Sequence, residues 1–207
     1  MNHGKVHMGL QGARQISQTS KWMSRQDYLK WGVLGGFIGA IFMALVMIGA
    51  VQAAMGDGVA VVCSMGVALI GLQPTSTATT TLGLIIHLIM GIVIGVILVT
   101  ASFVIGHQLL IKNVKKGVSV GLLGGFIVYL VLGLPILFYV MVPAMIQVLG
   151  MMGGAATMAA NEADAMMMIN SLMAPLLGAW LVAHLVYGAT WGAFVGHGAT
   201  RKIPIVK

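Results

Sequence analysis

Apolar positions in this chain fall in long unbroken runs separated by short polar segments. The first run spans Trp31 to about Met55 and ends at Asp57. A shorter one, Val59 to Leu72, precedes a Pro/Thr stretch from Gln73 to Thr81. Leu82 to Gly106 comes next, then a loop carrying His107, Lys112, Lys115 and Lys116. The third long run, Gly117 to Leu149, contains Pro135 and Pro143. A looser stretch rich in Met, Gly and Ala leads to Met173, and the last run covers Ala174 to about Ala199. Apolar runs of about 20 residues without alternation predict membrane-spanning helices, not barrel strands. Val59–Leu72 is too short: as helix its 14 or so residues reach roughly 21 Å, against a hydrocarbon core of about 30 Å. It predicts a half-helix, interfacial or dipping back. Such a segment must lie against protein, because its backbone ends cannot face lipid unpaired.

The placement of charge settles the number of crossings. All 11 basic residues lie in the N-terminal tail, the 107–116 loop or the C-terminal tail. Three of the four acids, Asp57, Glu162 and Asp164, lie in the other two connections. By the positive-inside rule, both termini and the middle loop are expected in the cytoplasm. Four spans satisfy this, and a fifth at 59–72 would put Lys115 and Lys116 outside. The expectation is an all-α, multi-pass protein of the cytoplasmic membrane. It divides into a basic tail (1–30), a first repeat (31–106, with the half-helix 59–72), a basic loop (107–116), a second repeat (117–199, with a Met-rich outer connection) and a basic tail (200–207). The tail shows no signal peptide, since a long basic segment without an apolar core precedes the first span.

The two halves repeat each other. Leu34-Gly35-Gly36-Phe37-Ile38 matches Leu123-Gly124-Gly125-Phe126-Ile127. The segment from His87 to Gly95 matches the one from His184 to Gly192, and Gly106-His107 matches Gly196-His197. Each half crosses twice, so the halves are expected to be parallel, related by an axis along the membrane normal. Glycines four apart, Gly35/Gly39, Gly91/Gly95, Gly121/Gly125 and Gly188/Gly192, put each pair on one helix face. There backbones can approach closely, and in lipid that packing must supply what the hydrophobic effect cannot.

Composition sharpens the class. Charged residues make up 7% of 207, against about 25% in soluble domains. Apolar residues make up 59%, with 29 glycines besides, so a soluble globule could not cover its surface. The net charge of +7 sits at span flanks and excludes a nucleic-acid module. The one cysteine, Cys63, excludes an intrachain disulfide and a thiolate metal cage.

Few residues offer chemistry. His87 and His184 lie about two turns inside their spans, and an ionisable group at that depth is costly unless paired. Two readings stand side by side: ligands for a metal, proton or water, or interhelical hydrogen bonds that act as glue. His107 and His197 read as boundary residues. Nine of the 17 methionines fall between Met141 and Met173, including Met166, Met167 and Met168. Thioethers are soft ligands that favour Cu(I), so those three, with His87 and His184, are metal candidates; methionine equally fills irregular apolar gaps. Met1-Asn2-His3 has the order of a square-planar Cu(II) or Ni(II) site. No catalytic constellation or nucleotide-binding loop is present.

Gly35–Ile38, His87–Gly95, Leu132-Gly133-Leu134-Pro135 and His184–Gly192 together resemble a group of small four-span membrane proteins of archaea and bacteria. The resemblance covers about residues 31–199; Tyr129 and Val131 stand where that group usually shows a Trp pair. In overall style the chain also resembles the small helical subunits of archaeal ammonia monooxygenase, a copper enzyme. That resemblance implies an accessory, non-catalytic subunit of a larger membrane complex, because the clustered His and carboxylate ligands of catalytic subunits are missing. Partners would then be other membrane subunits, met through glycine- and Met-rich helix faces. The alternative expectation is a small channel or carrier for a neutral or weakly charged solute, with His87 and His184 lining the path.

Overall fold

The computed structural model describes residues 24–71, 77–106, 111–151 and 162–201. Met1-Asn2-His3, His107 and the whole 152–161 stretch lie outside them. Among the described residues helix is the only regular structure. Four segments are long and apolar enough to cross a membrane: α1 (Arg25–Met55), α3 (Thr77–Val104), a composite third span (Val114–Val148) and a last helix (Met173–Thr200). The chain is an all-α membrane protein. Between α1 and α3 sits the short α2 (Ala60–Ile70). The third span opens with α4 (Val114–Val128) and closes with α5 (Val142–Met151). A further short helix, α6 (Glu162–Ser171), leads into the last span, α7.

Helix starts differ from the apolar runs for local reasons. α1 begins at Arg25, inside the stretch expected to be tail. Ser24 caps it: its Oγ accepts the Asp27 N–H at 3.2 Å and donates to Asp27 Oδ2 at 2.6 Å. The cap pulls a polar turn into helix and brings Tyr28 against Phe103, with ring centroids 5.2 Å apart. Ser24→Ala is expected to cost about 1 kcal/mol, seen as faster amide hydrogen exchange in the first turn of α1 alone. α3 begins at Thr77, within the Pro/Thr stretch. Two of its threonines are accommodated within the protein: Thr81 Oγ1 donates to the Thr77 carbonyl at 2.9 Å, and Thr79 is fully buried against Gly66 of α2.

The half-helix at 59–72 is observed as α2, and it lies against protein. Val62 of α2 approaches Gly83 of α3, and Ala60, Val61, Val62, Cys63 and Val67 are buried. The Gln52 side chain ties the turn before it, donating to the Gly56 carbonyl and accepting from the Gly58 N–H, both at 2.9 Å. Gly56 ends α1 at φ 76°, a left-handed conformation that favours glycine.

Glycines set the arrangement of the spans. α1 and α3 run antiparallel in close contact: a Cβ added to Gly36 would sit 2.6 Å from the Gly91 carbonyl oxygen, and one on Gly95 2.6 Å from that of Gly32. α4 and α7 do the same through Gly117, Gly121 and Gly125 against Gly188, Gly192 and the His184 carbonyl. α1 and α7 join the two pairs, where Gly35 and Gly39 meet Trp191 and Tyr187. The order across the bundle is α3–α1–α7–α4. The glycine faces are thus occupied within the chain.

The third span is not uniformly α-helical. It widens into π-helix at Tyr129–Gly133, makes one α turn at Leu134–Ile136, and widens again at Leu137–Met141. Each wide turn precedes a proline, Pro135 or Pro143. Proline donates no hydrogen bond and its ring crowds the carbonyl four residues back; widening the turn relieves that crowding. The Leu134 N–H reaches back to the Tyr129 carbonyl, and the Val142 N–H to that of Leu137.

Candidate functional site

One crevice occupies the middle of the bundle, with a volume of about 90 Å³. His87 and His184 both line it. The packing explains its position. On one side of the α1/α7 pair the rings of Tyr187 and Trp191 fill the joint between helices, and their donors reach α3. Tyr187 Oη donates to the Gly91 carbonyl at 2.7 Å and Trp191 Nε1 to that of Gly95 at 3.2 Å. On the other side, α3 and the third span stand apart. In the register of the sequence repeat, Met90 and Ile94 hold the places of Tyr187 and Trp191, and Val128 holds the place of Gly39. Val128 cannot admit a neighbour as Gly39 does, and Met90 and Ile94 carry no donor to bridge the gap.

The crevice has a floor, two closed ends and one open side. Ala40, Met43 and Met47 of α1 and Tyr187 of α7 form the floor. Towards the basic end, Tyr28, Val99, Ile111, Trp191 and Val195 pack into a buried cluster. Towards the acidic end, α2, the π-helical segments and α6 build the larger core, around Met141, Met145, Val148 and Ile169. The exposed lining residues, Leu84, Met90 and Leu132, belong to α3 and the third span. The opening therefore faces sideways, toward lipid.

Both imidazoles are held by backbone carbonyls, in different ways. His87 Nε2 donates to the Ala40 carbonyl of α1 at 3.0 Å. His184 Nδ1 donates to the Trp180 carbonyl of its own helix at 2.7 Å. A carbonyl can only accept, so the proton sits on the bonded nitrogen in each ring. The other nitrogens, Nδ1 of His87 and Nε2 of His184, have no partner among the described residues. No side-chain nitrogen or oxygen there is both buried and unpartnered, so both open onto reachable space. Gly133 keeps that space clear: a Cβ built on it would lie 2.8 Å from His184 Nε2. The Gly133 carbonyl accepts from Trp180 Nε1 at 3.1 Å. Tyr129 meets the His184 ring edge-on at 5.7 Å.

The remaining candidates lie elsewhere. Met166 and Met167 are 51% and 64% exposed on α6. Met168 packs against the larger core. None of the three lines the crevice. His197 is at the basic end of α7, its ring 5.6 Å from Trp31, over which Arg201 also lies. Among the described residues no three or more His, Cys, Asp or Glu side chains cluster as a metal site would require. The crevice does gather five thioethers that sequence spacing did not single out: Met43, Met47, Met65, Met90 and Met141. They come from four separate elements, so no local pattern marks them.

Compared with protein-family models, with curated proteins and with solved structures, the chain matches none.

Proposed function

We propose that this chain is a non-enzymatic membrane protein that takes a small neutral solute into its intramembrane crevice, with His87 and His184 lining the path. The observation that carries this reading is that both histidines open onto one crevice, each with a free nitrogen. Passage to the basic end requires α3 and the third span to part. Their contact there is through side chains: a Cβ on Gly124 would meet only Leu98, at 3.4 Å, whereas an added Cβ at the α1–α3 and α4–α7 joints would run into backbone. In this reading the protein sits in the cytoplasmic membrane, with both termini in the cytoplasm by the positive-inside rule.

The test is stopped-flow light scattering on proteoliposomes facing gradients of urea, glycerol or acetamide. At least one should cross at least fivefold faster than through empty liposomes. The double variant H87A/H184A should lose that gain while keeping its helical circular dichroism. Equal flux through wild type and double variant removes the reading.

A second reading, an accessory subunit of a larger complex such as a copper-dependent ammonia monooxygenase, draws on a separate observation. The thioethers of Met166 and Met167 are exposed on α6, outside the spans, where apolar side chains fit a partner surface. Extraction from native membranes in mild detergent tests it: co-migration with other subunits is expected, and a lone monomer overturns it.

A further inference from the structure

Resting on the solute-binding reading, we infer that the crevice selects small neutral hydrogen-bond donors, molecules with an N–H or O–H such as a short alkanol or a neutral amine, and that they enter sideways from the bilayer. The inference comes from an inventory of the polar atoms that line it. Every donor in the lining is already used. Tyr187 Oη gives its proton to the Gly91 carbonyl and Trp180 Nε1 gives its own to Gly133. His87 and His184 spend their N–H groups on Ala40 and Trp180. What remains is acceptors only, the two imidazole lone pairs and those of Tyr187 Oη, among thioethers and aliphatic carbons. Such a site can accept hydrogen bonds and can give none.

Three consequences set the ligand class. A molecule that can only accept, such as a ketone or an ether, gains no hydrogen bond here and leaves the lone pairs unsatisfied. A hydroxyl or amine satisfies one, worth about 1 kcal/mol net for a neutral pair. A permanent cation finds no carboxylate in the lining, so the cost of bringing charge into the hydrocarbon region stays uncompensated. Size is bounded too. The crevice, at about 90 Å³, is smaller than the roughly 150 Å³ apolar cavity known to hold benzene, so the closed part suits a few heavy atoms. The opening between Leu84, Met90 and Leu132 faces lipid, so the ligand must first dissolve in the bilayer, which small neutral alcohols and amines do.

Nitrogen NMR of the full chain in lipid nanodiscs, with 15N-labelled histidine, tests this directly. His87 and His184 are assigned by the spectra of H87A and H184A. Each ring should show one protonated and one unprotonated nitrogen. Titration with isopropanol should move the unprotonated resonances, Nδ1 of His87 and Nε2 of His184, and the shift should saturate. Acetone, with the same heavy-atom frame but no donor, should need about fivefold more for half the effect, the fold-change that one neutral hydrogen bond of about 1 kcal/mol gives. In Gly133→Ala the added methyl covers Nε2, so the His184 response should vanish while that of His87 persists. An equal response to acetone, or none to isopropanol, overturns the inference. So does a response to equimolar Ag(I) without one to isopropanol, which would make this a soft-metal site of imidazole and thioether donors. If isopropanol binds as described and liposome flux is nevertheless unchanged by the histidine variants, donor selection stands and the carrier reading falls.

Discussion

Trp191→Ala is expected to lower the stability of the bundle by about 3 kcal/mol, the low end of the range for emptying a buried Trp site. Trp191 is 1% exposed and fills the joint where α7 meets α1 and α3. The low end applies because spans that separate in a bilayer stay in hydrocarbon, so little hydrophobic transfer is lost. What disappears is close packing and the bond from Nε1 to the Gly95 carbonyl. Trp191→Phe separates the two contributions: it keeps most of the ring and should cost about 1 kcal/mol, the worth of the hydrogen bond alone. Denaturation in mixed lipid–detergent micelles measures both. If the Phe variant is as unstable as the Ala variant, the hydrogen bond, not the packing, holds this joint.

Gly188→Leu should do still more damage, about 3 kcal/mol or greater, because the strain has nowhere to go. Even a single added carbon at Gly188 would run into the carbonyl oxygen of Gly121, and next into the backbone of Gly125. A flexible side chain could swing aside, but a helix backbone cannot. The control is Gly49→Leu, on α1, where a Cβ meets nothing within 4 Å. It adds an apolar side chain facing lipid and should leave stability unchanged. Size-exclusion profiles and thermal unfolding in the same detergent compare the two. Equal behaviour of the pair would mean that close backbone approach of α4 and α7 is not what holds them together.

The sequence carried the spans well and the site poorly, for different physical reasons. In lipid a span must satisfy all its backbone groups within itself, so apolar length alone places α1, α3, the third span and α7 to within six residues at every end. α2 was readable too, because about 14 apolar residues cannot cross the bilayer. The ends were less so. Ser24 and Asp27 form an S-x-x-D cap signal that apolarity hides, since it acts on polar residues. The prolines at 135 and 143 announced a break; nothing local told whether the chain would kink or widen into π-helix. The crevice depends on a mismatch between equivalent joints, Gly39 with Tyr187 on one side and Val128 with Met90 on the other. That requires knowing which helices face each other. His87 and His184 stood out as the deep titratable pair, yet the two readings weighed for them were not exclusive. One nitrogen of His87 does make an interhelical bond, and the other stays free. His184 bonds within its own helix, which spacing alone does not distinguish.

The order α3–α1–α7–α4 also has a mechanical meaning. Three of the joints between neighbouring spans are backbone against backbone, or backbone against a bonded aromatic ring, and such joints are stiff. The fourth, between α3 and the third span, rests on side chains such as Leu98 and closes nothing at its centre. A ring of four rods with three rigid couplings yields at the remaining one. The pair with the least backbone-to-backbone contact, α3 and the third span, is thus also the pair between which the crevice lies.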